Sequence, residues 1–148
     1  MDNNQNYIIH TDGGSRGNPG PAAIGVVIES KDGGLKKEYG EYIGETTNNV
    51  AEYSAVVFAL KKLKQLIGTA STSQANVHIH VDSELLARQL NGEYKVKEPE
   101  IQRLFLEVWN LKTDFEHVEF LHVPREKNKA ADKMVNAALD KEANKLDM

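Results

Sequence analysis

The sequence predicts an α/β domain built on a mixed β-sheet covered by helices, and three observations carry that expectation. Three strand-like segments follow one another near the N-terminus, joined by glycine-rich turns. Helical and strand-like periodicities then alternate to the C-terminus. The chain is 148 residues long, 40% hydrophobic and free of cysteine, which suits one domain with a real core and no disulfide staples.

The elements read in order as follows. Residues 1–6 are polar and are expected to form a flexible tail before a single domain over 7–145. Tyr7-Ile8-Ile9-His10-Thr11-Asp12 reads as a strand running into the glycine-rich stretch Gly13 to Gly20. Ala22 to Glu29 is apolar and β-branched, and Asp32-Gly33-Gly34 turns it back into a third strand, Leu35 to Ile43. Thr46-Thr47-Asn48-Asn49 supplies helix-start residues. Val56, Ala59, Leu60, Leu63 and Ile67 then recur at helical spacing. Gly68 to Ala75 reads as a linker, and Val77-His78-Ile79-His80-Val81 as an alternating strand. A short helix covers Glu84 to Leu90, another runs from Pro99 to about Lys112, and Val118 to Val123 is the fifth strand. Pro124 stops it, and a last helix spans Asn128 to about Lys145. Trp109, at helical spacing with Leu104, Phe105 and Val108, is expected in the core.

Four carboxylates stand where a purely structural role is hard to justify. Asp12 and Asp82 each close an apolar strand, and strand ends of this kind line the ligand crevice of sheets with parallel strands. Glu52 falls on the apolar stripe of its helix with Val56, Ala59 and Leu63. A charge there is costly unless paired or bound to metal, although a first-turn Glu favoured by the helix dipole fits equally well. Asp132, taken singly, fits the dipole reading better. Together the four form a set of hard oxygen donors, which suits Mg²⁺ or Mn²⁺ rather than zinc. Their crowding would require a cation between them. The chemistry that uses such a cluster is phosphodiester cleavage with two metal ions, roughly 3.5–4 Å apart.

The segments Thr11-Asp12-Gly13-Gly14-Ser15-Arg16-Gly17-Asn18-Pro19-Gly20, Thr46-Thr47-Asn48-Asn49-Val50-Ala51-Glu52, Val81-Asp82-Ser83 and Asn128-Lys129-Ala130-Ala131-Asp132 resemble type 1 ribonuclease H in order and approximate spacing. The resemblance implies a ribonuclease H-like fold, with a five-stranded mixed sheet and helices on both faces. It implies hydrolysis of the RNA strand of RNA/DNA hybrids, leaving 5′-phosphate and 3′-hydroxyl ends. By position, Asp12, Glu52, Asp82 and Asp132 correspond to the family's metal-binding carboxylates. Gly17, Asn18, Asn48, Asn49 and Ser83 fall among substrate contacts, and Thr47 falls where the family holds a phosphate of the DNA strand.

Four departures from the family pattern stand out. Glu45 replaces an Arg that many members place beside that phosphate. Glu84 stands where some carry Gln. The basic protrusion after the second main helix is missing, with only Gly92-Glu93-Tyr94-Lys95-Val96-Lys97 in its place. The mobile loop histidine is unassigned. His122 fits an ungapped register, while a gapped register, which is slightly favoured, leaves Arg125 as the nearby cation.

The discounted signals include the glycine-rich stretch as a nucleotide loop, because Pro19 and Pro21 forbid a helix directly after it. His78 and His80 are read as a packed or solvated sheet face, not a zinc site. The formal charge is −4, which argues against a general polyanion binder, yet two divalent ions in the carboxylate cluster would offset it. No apolar run approaches the ~20 residues that span a bilayer, and the N-terminus has no signal-peptide pattern. The expectation is a cytoplasmic monomer that needs no protein partner and no membrane and acts on RNA/DNA hybrids.

Overall fold

A computed structural model describes residues 5–146. Its strands are β1 (Asn6–Ser15), β2 (Gly20–Ser30), β3 (Lys36–Thr46), β4 (Asn76–Val81) and β5 (His117–His122). Its helices are α1 (Asn48–Ile67), α2 (Thr69–Thr72), α3 (Glu84–Leu90), α4 (Pro99–Lys112) and α5 (Lys129–Leu146), with a 3₁₀ turn at Arg125–Lys127. Residues 1–4 of the expected tail lie outside the described residues, and Asn6 already pairs with Asn76. The stretch expected as a linker after α1 contains the single turn α2.

The five strands form one sheet in the order β3-β2-β1-β4-β5. β1 pairs antiparallel with β2, and β2 with β3, whereas β4 runs parallel to both β1 and β5. The mixed sheet expected from the sequence is therefore present. The parallel pairing of β1 with β4 stops at His10 and His80. Beyond that point β1 continues to Ser15 with only β2 beside it. Asp12 is thus not at the end of its strand. It lies two residues past the last β1–β4 pair, as Asp82 does on the other chain segment, and both side chains leave the same face.

Helices cover both faces. Ile9, Ile24, Val26, Ile28, Val77 and Ile79 pack with Val56, Leu60 and Leu63 of α1, and Ile101, Leu104 and Val108 of α4 extend that core. On the opposite face α5 packs Val135 and Leu139 against Ala23 of β2. Trp109 is not in the core: it is 52% exposed, with the Lys112 ammonium over its ring. The buried stripe of α4 is Ile101, Leu104 and Val108, and the residue after Val108 lies about 100° round the helix.

Two glycines allow helix backbone to rest directly on the sheet. A methyl group at Gly13 would collide with the Ala51 carbonyl of α1, and one at Gly25 would collide with the Ala131 carbonyl of α5. Each contact sits one residue from a carboxylate, Glu52 in one case and Asp132 in the other. Backbone proximity at these glycines therefore sets how near α1 and α5 bring their acids to Asp12. Gly25→Ala should push α5 outward, costing about 1–3 kcal/mol of stability and displacing Asp132. Denaturant unfolding of the variant checks the stability cost, and its crystal structure checks the displacement.

Candidate metal and nucleic-acid site

The ends of β1 and β4, the second turn of α1, the 3₁₀ turn and the start of α5 enclose a cavity of about 330 Å³. Asp12, Glu52, Asp82 and Asp132 all line it, as does Arg125. The four carboxylates predicted from scattered segments are therefore neighbours. They lie beyond the carboxyl ends of the parallel pair, where the chain's crossovers leave a crevice.

Local structure explains each position. Thr47 caps α1, its hydroxyl accepting from the Val50 N–H at 3.3 Å. Glu52 is the fifth residue of α1, so the first-turn dipole reading does not apply to it. Val56, Ala59 and Leu63 on its stripe are fully buried, which anchors the face that carries it. Ser83 caps α3, accepting from the Leu86 N–H at 3.1 Å while donating its hydroxyl to Glu52. Asp132 does lie in the first turn of α5. Asn128, the residue before α5, uses its side chain on the sheet. Its Nδ2 donates to the Thr11 carbonyl at 2.8 Å, and its Oδ1 lies 3.1 Å from His10 Nδ1. This 1% exposed asparagine ties the start of α5 to β1 beside Asp12.

Burial, then the charge of Asp82, then a hydrogen bond with Asp132 and its charge, push the Asp12 carboxyl up to about 8. Burial raises Glu52 to about 7, assisted by Asp82, against the Ser83 hydroxyl and the Arg125 guanidinium, which both favour its charged form. Two acids held this far above their ordinary range lack the positive charge that would let them ionise, and a divalent cation supplies it. The donor set is all oxygen, with no thiolate in the chain. That chemistry fits Mg²⁺ or Mn²⁺. Among the described residues, no three His, Asp or Glu side chains as oriented form a ready-made ligand group.

The substrate-contact candidates cluster on one side of this cavity. Asn48 Oδ1 accepts from the Ser15 N–H at 2.8 Å and the Ser15 hydroxyl at 3.2 Å. Asn18 Oδ1 accepts from the Asn48 N–H at 3.0 Å. Both amide oxygens are thereby engaged. Gly17 sits beside them in the exposed turn between β1 and β2, and Asn49 lines a neighbouring cavity with Gln89, Lys95 and Lys97. Glu84 pairs with Arg88 at 3.1 Å along α3. No helix stands between α3 and α4, so the protruding basic element is absent among the described residues.

His122 is the last residue of β5 and lines a separate cavity with Glu84, Arg88 and Asn91. It is not brought to the carboxylates, whereas Arg125 is. His78 bonds Glu119 at 2.6 Å, and His80 packs edge-on to His10 at 4.7 Å, as a sheet-face reading requires. Sequence reasoning assigned no role to Arg16, Asn136 or Asp140, which line or adjoin the same cavity. The i, i+4, i+8 spacing of Asp132, Asn136 and Asp140 was the available signal.

A family model described as "Reverse transcriptase-like" matches residues 10–138, which hold most of this sheet and all four carboxylates. The chain is 41% identical over 129 residues to a "Ribonuclease HI" of Halobacterium salinarum, covering 87% of this chain and 62% of that protein. The structure superposes on that of LC11-RNase H1 in complex with an RNA/DNA hybrid with a TM-score of 0.86 at 47% identity, covering 93% of this chain and 99% of the other. For RNase H1 of Halobacterium salinarum the TM-score is 0.84 at 38% identity, with 92% and 98% covered. The chain thus spans about three-fifths of the length of that curated relative, and 35% of the bifunctional protein Rv2228c of Mycobacterium tuberculosis. The chain belongs to the type 1 ribonuclease H family.

The raised Asp12 and Glu52 have a stability consequence. In metal-free protein both acids hold protons that the unfolded chain has already released above pH ~4. Their contribution is full below the unfolded pKa and is lost as pH rises toward 7 to 8. Metal-free protein should therefore lose stability from pH 5 to pH 8, and Asp12→Asn should flatten that slope. Chemical denaturation across this range in chelator is the measurement.

Proposed function

We propose that this chain is a metal-dependent endoribonuclease that hydrolyses the RNA strand of RNA/DNA hybrids, leaving 5′-phosphate and 3′-hydroxyl ends. The observation that carries this reading is the convergence of Asp12, Glu52, Asp82 and Asp132 on one cavity in a chain of this family. The hybrid bound to the similar LC11 enzyme supports the choice of substrate.

Asp12, Glu52, Asp82 and Asp132 would hold the divalent ions. Bound Mg²⁺ or Mn²⁺ would supply activation of the attacking water and neutralisation of the leaving oxygen. The remaining work falls to the chain's own residues. Ser83 keeps Glu52 oriented through its hydroxyl. Asn128 holds α5 against β1, so that Asp132 stays beside Asp12. Arg125, whose charge favours the ionised form of Glu52, is the cation placed to meet negative charge building on the phosphate.

Strand discrimination follows from the amides. With their oxygens already engaged, Asn18 and Asn48 turn NH₂ donors outward, and donors suit the 2′-hydroxyl oxygens and base acceptors of a minor groove. The 2′-hydroxyl separates RNA from DNA. Thr47 accepts from Val50 and retains its hydroxyl hydrogen for a phosphate of the DNA strand. Glu45 next to it weakens that phosphate pocket, and without a basic protrusion the electrostatic grip falls on Lys95 and Lys97, which makes binding salt-sensitive.

Labelled hybrid incubated with Mg²⁺ or Mn²⁺ should be cut in the RNA strand, with little or no cutting of a DNA duplex. Binding without cleavage in either metal would leave only a hybrid-binding module, and faster cutting of DNA would overturn the substrate assignment. Asp12→Asn should lower the rate on the order of 100-fold or more while preserving the circular dichroism spectrum.

Arg125→Ala should slow cleavage by about tenfold or more, and His122→Ala should behave as the parent. Both are compared at one metal concentration. The reverse ranking would return the role to His122.

A further inference from the structure

The cavity that the four carboxylates line is also lined by Arg16, Asn136 and Leu139. Arg16 follows β1 in the turn that carries Gly17 and Asn18, and its guanidinium reaches across to α5. There Nη2 donates to Asp140 Oδ1 at 2.7 Å and to Asn136 Oδ1 at 3.4 Å. Asn136 is itself fixed, because its Nδ2 donates to the Asp132 carbonyl at 3.1 Å. Asp132, Asn136 and Asp140 thus form one ladder along α5, and Arg16 is aligned by the same helix face that presents Asp132.

The Arg16–Asp140 pair is half exposed, with side-chain exposures of 44% and 66%. Such a pair is worth little in water. Among the described residues only Nη2 is engaged, and since both planar forks of a guanidinium, Nη1 with Nη2 and Nε with Nη2, use that nitrogen, a phosphate bound by a fork takes the place of Asp140. Arg16 and Arg125 are the cations lining this cavity. Arg125 acts on Glu52, whereas Arg16 is paired with Asp140 of α5. A strand whose scissile phosphate meets the carboxylates must run its neighbouring phosphates along the cavity.

We infer that Arg16 binds a backbone phosphate of the cleaved RNA strand next to the scissile one, and that the Asp140 carboxylate holds that place in the free protein. This rests on the hybrid-nuclease reading above. Substrate exchanges one anion for another on a guanidinium already aligned by Asn136, so Asp140 competes with the substrate and lowers its affinity.

The test measures binding of a short fluorescent RNA/DNA hybrid by anisotropy in EDTA across a salt series, with steady-state cleavage in Mg²⁺ alongside. Arg16→Ala should weaken binding about tenfold and reduce the salt slope by about one. In cleavage the loss should fall on KM rather than on kcat. Arg16→Lys, which keeps the charge but not the fork, should fall between. Asp140→Asn should tighten binding by up to about fivefold, and should do nothing in an Arg16→Ala background. Thermal unfolding of each variant confirms the fold.

If the parent binds and cuts hybrid but Arg16→Ala binds equally well, or Asp140→Asn tightens binding without Arg16, the inference is overturned. If the parent neither binds nor cuts hybrid, the hybrid-nuclease reading falls and this inference falls with it.

Discussion

Four carboxylates crowded into one cavity repel each other, and most of the molecule's architecture serves to hold them against that repulsion. Burial first, and the charges of Asp82 and Asp132 after it, push the Asp12 carboxyl up to about 8. Left to themselves the acids would separate into solvent, where each is ionised at no cost. They are kept together because each is attached to an element that cannot retreat. β1 and β4 are hydrogen-bonded up to two residues before Asp12 and Asp82. α1 is clamped by a fully buried stripe, and α5 is tied by Asn128 to the Thr11 carbonyl. Folding energy from burying Ile9, Leu60, Leu63 and Ile79 thus holds the acids together at the sheet's end, where the proposed divalent cations would relieve the strain.

The two glycine contacts give this framework its short distances. Ordinary helix-on-sheet packing is separated by side chains. At Gly13 and Gly25 the helix backbone rests on the strand itself, so the next residue along each helix arrives close to Asp12. The glycine-rich stretch begins as strand, and the missing side chain at Gly13 of β1 admits a helix. Around this centre the proposed substrate contacts are engaged amides. Asn18, Asn48 and Ser15 interlock, which fixes donor direction at little entropic cost on binding.

The acidic balance of the chain takes on a local meaning in this light. Negative charge is concentrated where cations are needed, while the basic residues around the cavity are few and individually placed. Arg125 faces Glu52, Arg16 spans the mouth, and Lys95 and Lys97 flank Asn49. The grip on a polyanion then depends on a handful of directed contacts, and one of these, at Arg16, is already occupied by a carboxylate of the same chain.

Much of this was readable before any coordinates. Alternating periodicities predicted five strands and the mixed sheet, because burial on one face imposes period 2 and burial of a helix stripe imposes 3.6. Asp12 and Asp82 drew attention because a charge interrupts an apolar strand, and Glu52 because it extends an apolar stripe. Asp132 does not stand out, since taken singly it fits a helix-dipole role better. Its partnership with Asp12 spans 120 residues of sequence and depends on the rotation of α5, which Gly25 and Asn128 set. The same reason hid the exposure of Trp109, the separate cavity of His122 and the ladder from Asp132 to Asp140. Residue type and spacing encode which groups share a face. Which faces meet, and at what distance, follows from packing between segments far apart in the chain, and that becomes definite only once the whole core has closed.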